Sequence, residues 1–389
     1  KMDNLSELIE QKKRETLRKI LSKGIALVSV TRGGTRIISS LAKKLEFDKV
    51  SVFVPEKFSG ETDLNNVVFF KNIKELLLEI FHSYDAIICV MSLGALVRLI
   101  SPKLKSKEED PAVLCIDETG KFVISVLSGH VGGANELCRE VARVLSATPV
   151  ITTASDSLGT IPVDIFGREF GWKVFADHDT LVKVSSSVVN DEGVAIVQES
   201  GEKFFSVPKN FKYFTKFEDF VQEQENFSAC LFISHREIKK DAFKIPVVIY
   251  RPPVLHVGIG FDKGVKAHEL YEFLKDTFEK FGISMDSIKT VSTVDVKKED
   301  QEFLAFSEIL KSRIGAEVIF VKKEDLSKIE VKNPSAQAKK YLGIPSVSEA
   351  SALFCAKNGK LLVEKQKGRS PSSQAGMTLA VAIEEHMNI

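Results

Sequence analysis

The sequence of 389 residues lacks a Cys-x-x-Cys pair and a His-x-x-x-His spacing, so the common zinc and dithiol-redox arrangements have no ligands to build on. Its five cysteines, Cys89, Cys115, Cys138, Cys230 and Cys355, are scattered and mostly lie inside apolar runs. They read as buried thiols of a reducing compartment. An excess of one charge is missing too: Lys+Arg number 54 against Asp+Glu 53, a formal net charge of +1. No polybasic field is available for a phosphate backbone or an anionic membrane, and neither is expected as a partner. No apolar run is long enough to span a bilayer, and residues 1–20 are charged and helical in pattern, without a signal-peptide core. The expected location is cytoplasmic. Internal repeats and low-complexity segments are absent, and 44% hydrophobic residues over this length fit two or three packed domains.

What the chain does contain is concentrated in residues 122–156, FVISVLSGHVGGANELCREVARVLSATPVITTASD. Residues 122–127 form an apolar, β-branched strand, and Gly129, Gly132 and Gly133 break it. Apolar residues then recur at Leu137, Val141, Val144 and Leu145, the spacing of one helix face. Pro149 stops that helix, and residues 150–153 read as a short buried strand closing in a polar turn at Ala154-Ser155-Asp156. In such a βαβ unit ligands gather where strands end and helices begin, because free N–H groups and the helix dipole point there. Ser128-Gly129-His130 occupies that place.

The rest alternates in the same way. Strands are expected at residues 24–30, 50–54 and 84–90, with helices at 36–44, 73–81 and 92–100. A hairpin of residues 113–117 and 121–127 feeds the central stretch. The Thr31-Arg32-Gly33-Gly34-Thr35 turn is either an anion site or a plain close-packed turn. Arg98, among Val97, Leu99 and Ile100, is expected to need an ion-pair partner or a bound anion. From about residue 166 the texture shifts to shorter elements rich in Phe, Lys and Glu. The helix 178–189 and strands 194–198, 230–234 and 246–250 belong here, with Phe211, Phe214, Phe217 and Phe220 spaced for packing. Arg251-Pro252-Pro253 reads as a stiff linker. A third α/β segment opens at residues 254–257 and runs into a glycine turn at residues 258–264 and a helix. Ser346-Val347-Ser348-Glu349 has the form of a capping box. The expected architecture is α/β: an N-terminal doubly wound, largely parallel sheet domain (1–165), a smaller α+β middle domain (166–250) and a C-terminal α/β domain (254–389).

Among the seven histidines His130 stands in a glycine turn at a strand end, whereas His82, His178, His235, His268 and His386 look like surface or helix residues. An imidazole there is either a general acid or base near neutral pH or a tie that holds the loop through both ring nitrogens. Ser128 lacks the Gly-x-Ser-x-Gly elbow and reads better as a binding or capping group than as a nucleophile. Asp156 ends the next strand and can face the same crevice. The candidate catalytic residues are therefore His130, Ser128 and Asp156. The candidate binding residues are Arg32, Arg98, Gly129, Gly132, Gly133, Asn135, Gly258 and Gly260, with no metal ligand among them. The glycines at 258–264 miss the dinucleotide fingerprint, which sets a nicotinamide-dependent enzyme aside.

The run DAIICVMSLGALVRLISPKLKSKEEDPAVLCIDETGKFVISVLSGHVGGANELCREVARVLSATPVITTASD resembles the CbiG family of cobalamin-biosynthesis proteins, the cobalt-precorrin-5A hydrolases. The segments around Arg98, Asp110, His130 and Asp156 carry the resemblance. GIALVSVTRGG, VFVPEKF, HVGIG, GIPSVSEASAL and LLVEKQ extend it over nearly the whole chain. Two positions depart from the family pattern: Phe261-Asp262-Lys263 replaces a basic pair, and Ser155 replaces Thr. The resemblance implies hydrolytic opening of a δ-lactone on a cobalt-bearing tetrapyrrole, with loss of a two-carbon fragment as acetaldehyde, in anaerobic vitamin B12 biosynthesis. It implies a cobalt supplied by the substrate and no cofactor held by the protein, with neighbouring corrin-pathway enzymes as further partners. The alternative is a non-catalytic tetrapyrrole carrier of the same pathway. With the lactone as substrate, His130 is the candidate acid or base, the N–H groups of Gly132 and Gly133 are oxyanion donors, and Arg32 and Arg98 hold carboxylates.

Overall fold

The computed structural model describes residues 2–386, and the chain divides into two compact units after Glu169. In the first unit, helices α1 (Met2–Ile20), α2 (Arg32–Lys44), α3 (Ile73–Ile80), α4 (Leu93–Ile100), α5 (Ala134–Leu145) and α6 (Ala154–Leu158) accompany seven strands. These are β1 (Ile25–Ser29), β2 (Val50–Pro55), β3 (Val67–Phe70), β4 (Ala86–Val90), β5 (Ala112–Ile116), β6 (Phe122–Leu127) and β7 (Thr148–Val150). They form one sheet in the order β3-β2-β1-β4-β5-β6-β7, the expected α/β architecture. β1, β4 and β5 are buried along their whole length, which is why they read as unbroken apolar runs instead of alternating ones. One face is covered by Ile38, Leu41, Leu137 and Val141, the other by Leu76, Leu77, Leu96 and Ile100.

Every neighbouring pair in this sheet is parallel except β5 and β6. Asp117 makes the reversal by accepting the N–H groups of Thr119 and Phe122 at 3.0 and 2.7 Å, and Gly120 supplies the positive φ the turn needs. Leu127 consequently pairs with Val113, and the loop after β6 emerges at the edge where β1, β4 and β5 begin. The turns after β1 and β4 lie at the other edge. This single reversal separates Arg32 from His130 by the length of the sheet.

The second unit carries β8 (Lys173–Phe175), α7 (His178–Val189), β9 (Val194–Gln198), β10 (Phe211–Phe214), α8 (Phe217–Val221), β11 (Ala229–Ile233) and β12 (Val247–Arg251). Its first sheet runs β10-β9-β11-β12-β8. Phe214, Phe217 and Phe220 are buried in its core with Phe232, as their spacing predicts. The chain continues through β13 (Leu255–Phe261), α9 (Ala267–Phe281), β14 (Ile288–Val294), α10 (Gln301–Arg313) and β15 (Glu317–Val321). It ends with α11 (Lys323–Ser327), α12 (Ala336–Leu342), α13 (Ser348–Ala356), β16 (Lys360–Arg369) and β17 (Gly376–Ile383). Their sheet has the order β15-β14-β13-β17-β16. No helix among the described residues is long and apolar enough to cross a membrane.

Four local expectations are corrected. The polar turn at residues 154–156 is the start of α6, and the strand before it is Thr148–Val150, so Pro149 lies inside a strand. The helix ends earlier, at Ser146 in the left-handed conformation. Arg251 is not a linker residue: it ends β12, is buried, and donates to the carbonyls of Ser234 and Arg236. Glu349 closes no capping box. It is buried and accepts the N–H groups of Asn333 and Lys365 at 2.8 and 2.9 Å, tying two distant segments to α13. Gly258 and Gly260 lie inside the buried strand β13, not in a turn.

Candidate active site

The loop from Ser128 to Gly133 is built by its backbone. Ser128 sits at φ 57° and Gly133 at φ 84°, and the N–H groups of Gly133, Ala134 and Asn135 return to the carbonyls of His130, Ser128 and Gly129. A Cβ on Gly132 would stand 2.5 Å from the Ser128 Cβ, so glycine is required there for close approach. Ser128 Oγ donates to the Asp110 carbonyl at 3.0 Å, tying the loop to the start of β5. The Gly133 N–H is already used, which removes it as an oxyanion donor. The Gly132 N–H makes no hydrogen bond among the described residues.

His130 is clasped from both sides. Its Nδ1 lies 2.8 Å from Asp164 Oδ1 and its Nε2 2.8 Å from Asp156 Oδ2, with Ser155 Oγ 3.2 Å from Nε2. Two carboxylate acceptors require two N–H donors, hence an imidazolium. Burial opposes that charge, but the hydrogen bonds to Asp156 and Asp164 raise the pKa to about 9. Asp156 is held well below the usual carboxylate range, first by His130 and then, against its own burial, by Thr153 and Arg139. Asn135, 2% exposed, takes Ser125 Oγ–H on its oxygen and donates to Thr153 and Asp156. Arg168 caps the loop by donating to the His130 and Val131 carbonyls at 2.9 and 3.1 Å. In this geometry neither ring nitrogen is free to take a proton, and the arrangement is that of the loop tie.

His130, Ser128, Asp156, Asn135, Gly129, Gly132 and Gly133 are thus brought together, and within the same unit Arg32 and Arg98 are not. Arg32, at the opposite sheet edge, has a side chain 66% exposed and an ion pair with Glu61 at 3.1 Å. Arg98 is exposed on α4 and not among the apolar residues that flank it in sequence; it has no ion-pair partner among the described residues, and its Nη1 folds back toward Gly94. The packing reason for the glycines of β13 is plain. A Cβ on Gly258 would lie 1.9 Å from the Ser348 carbonyl oxygen, and one on Gly260 would lie 2.6 Å from Thr378 Oγ1. They let α13 rest directly on the strand.

Sequence reasoning missed Asp164 and Arg168, which sit 34 and 38 residues beyond His130 in a segment without any motif. It also misplaced histidines. His235 is buried, and burial lowers its pKa to about 4. His256, not considered from sequence, is buried in β13 between Thr290 Oγ1 at 2.7 Å and Glu384 Oε1 at 2.6 Å. His82 is no plain surface residue either: its Nε2 lies 3.2 Å from Asp110 Oδ1.

Against this geometry the comparisons with known proteins are consistent with one another. Residues 75–156 match the family Cobalamin synthesis G N-terminal, residues 161–252 the Cobalamin biosynthesis central region and residues 255–382 the Cobalamin synthesis G C-terminus. The chain is 40% identical over 360 residues to a protein of Priestia megaterium named cobalt-precorrin-5A hydrolase, covering 90% of this chain and 94% of that one. It is 27% identical to a protein of the same name from Salmonella typhimurium, over 92% of this chain and 97% of the other. A probable cobalt-precorrin-5A hydrolase of Methanocaldococcus jannaschii is 23% identical over 80% of this chain. With all three regions matched in order and the clasped Ser-Gly-His loop inside the first of them, the chain belongs to the cobalamin synthesis G (CbiG) family.

Proposed function

We propose that the protein is a cobalt-precorrin-5A hydrolase, which adds water to the δ-lactone of its cobalt tetrapyrrole and releases acetaldehyde to leave cobalt-precorrin-5B. The observation that carries this is the 40% identity to a hydrolase of that name, sustained over 90% of the chain. The cobalt is part of the substrate, and the protein supplies binding, orientation and charge. The Gly132 N–H, which makes no hydrogen bond among the described residues, is the loop amide at the cavity wall that meets the oxyanion of the tetrahedral intermediate. The His130 imidazolium, fixed between Asp156 and Asp164, places positive charge beside that amide and holds the loop in register. We place the reaction in the cytoplasm, in line with five cysteines that are all free thiols, with the enzymes before and after it in the corrin pathway as its neighbours.

Anaerobic single-turnover incubation with the lactone substrate tests the proposal. One equivalent of acetaldehyde per substrate bound is expected. Binding without acetaldehyde release would instead make the protein a tetrapyrrole carrier.

A further inference from the structure

If His130 is engaged on both nitrogens, the proton from the attacking water must go elsewhere. The loop that holds His130 borders a cavity of about 480 Å³ at the edge where β1, β4 and β5 begin, and His82, Asp110, Lys23, Lys105 and Lys107 line it together with Gly132. That volume lies within the range of small-molecule sites. His82 stands in the turn between α3 and β4, its side chain 30% exposed, and its ring is steadied by the edge of Phe81 with centroids 4.9 Å apart. Asp110, with a side chain only 6% exposed, accepts His82 Nε2. The Lys105 N–H fixes this carboxylate on both oxygens, at 3.1 and 3.0 Å. Because a carboxylate accepts from Nε2, the proton of the neutral ring belongs on Nε2, and the lone pair is on Nδ1. That nitrogen makes no hydrogen bond among the described residues. The Asp110 carbonyl also receives Ser128 Oγ, so the same residue orients His82 and anchors the glycine loop.

We infer that His82, oriented by Asp110, is the general base that activates water for lactone opening in this cavity, with the Gly132 N–H facing the oxyanion. The inference rests on the hydrolase reading above. Nδ1 takes a proton from water, and the hydroxide oxygen bonds to the lactone carbonyl carbon. The ring C–O bond then breaks with its electron pair on the departing oxygen; that pair forms the carbonyl of acetaldehyde as the C–C bond to the macrocycle breaks, and the macrocycle keeps the C–C pair and takes the proton from Nδ1. One water is added and no electrons are gained or lost. Lys23 and Lys107, which have no ion-pair partner among the described residues, are the cations available to the substrate's carboxylates, while Lys105 pairs with Glu109 at 3.3 Å and Asp85, Glu108 and Asp110 line the same cavity.

The test uses the full-length protein and the cobalt lactone substrate under anaerobic conditions, with acetaldehyde as the readout. His82→Ala is expected to lower kcat about 10²- to 10⁴-fold, leave KM nearly unchanged, and abolish the acid-side limb of the kcat/KM profile. Added imidazole should restore part of the rate. His82→Gln keeps an amide donor for Asp110 and removes the base, so it should fold like wild type and be as slow as His82→Ala. Asp110→Asn, at a positioning residue, should cause a smaller loss of kcat with KM nearly unchanged. Folded His82→Ala or His82→Gln protein that turns over at the wild-type rate, or keeps the wild-type limb, overturns the inference and leaves the hydrolase reading standing. Wild-type protein that binds the substrate and releases no acetaldehyde overturns both.

Discussion

The loop of residues 128–133 and the strand β13 each crowd glycines against the N-terminus of a helix, and they are held by different forces. In the loop, close approach of Gly132 to Ser128 is secured by charged hydrogen bonds: the His130 clasp, the Arg168 cap and the Asn135 network. In β13 the glycines are fully buried and α13 packs on the backbone itself. Glycine is demanded in both places because no side chain fits. What surrounds it decides whether the spot is polar and poised for chemistry or a plain packing contact, and only the first responds to pH.

The largest effect that would break this comparison is expected in β13. Gly258→Ala places a methyl group 1.9 Å from the Ser348 carbonyl oxygen, and backbone, unlike a flexible side chain, cannot swing away. Overpacking of this kind should destabilise the second unit by about 3 kcal/mol or more, read from the urea midpoint. The penalty should be the same at pH 6 and pH 9.5, since no titrating group is involved. A loss below about 1 kcal/mol would mean that α13 slides freely over the strand.

The clasp should behave oppositely. Its imidazole pKa of about 9 lies above the ordinary 6.5, so protonation favours the folded state. The stabilisation is complete below pH 6.5 and is lost as the pH climbs through about 9. Asp156 works at the other end: its depressed pKa gives stability that is present above about pH 4 and lost on acidification. Between these limits the clasp is strongest. The shift of His130 corresponds to about 3 kcal/mol, so wild type should lose about that much unfolding free energy between pH 6 and pH 9.5 relative to His130→Gln. A parallel pH dependence in the two proteins would show that the loop is held by something other than the imidazolium.

How far each region was legible follows from the range of the forces involved. Helix α7 and strand β9 were readable because their signals, a period of 3.6 and a buried apolar run, are local. The loop at 128–133 was readable because glycines and a histidine stand together in the chain. The clasp was not, since Asp164 and Arg168 come from a stretch with no pattern of its own and reach His130 only through the fold. Gly258 and Gly260 resembled a turn because sequence shows the small residue and not the α13 carbonyl that requires it. Glu349 resembled a cap because it stands three residues after Ser346, yet its acceptors are filled by Asn333 and Lys365 from elsewhere. Arg98 looked buried because its neighbours in sequence are apolar, whereas on a helix those neighbours point to other faces. The reversal at Asp117 has the widest consequence: the hairpin itself was legible, but the sheet order that sends Arg32 to the far edge was not.

Arg32 is the smallest of the expected effects and the sharpest check on that topology. Its guanidinium is mostly exposed and pairs with Glu61, which also takes Arg36, so its removal should cost about 0–1 kcal/mol, the scale of a surface ion pair. Because the turn after β1 and the loop after β6 open at opposite edges of one sheet, a substrate seated against Gly132 leaves Arg32 untouched. Arg32→Ala should therefore keep kcat and KM within about twofold, inside the scale of a lost surface ion pair. A rise in KM of tenfold or more with stability unchanged would move the substrate's carboxylates to the β1 and β4 edge. The glycine loop would then be scaffold, as β13 is, and the distinction between the two regions would rest on their pH response alone.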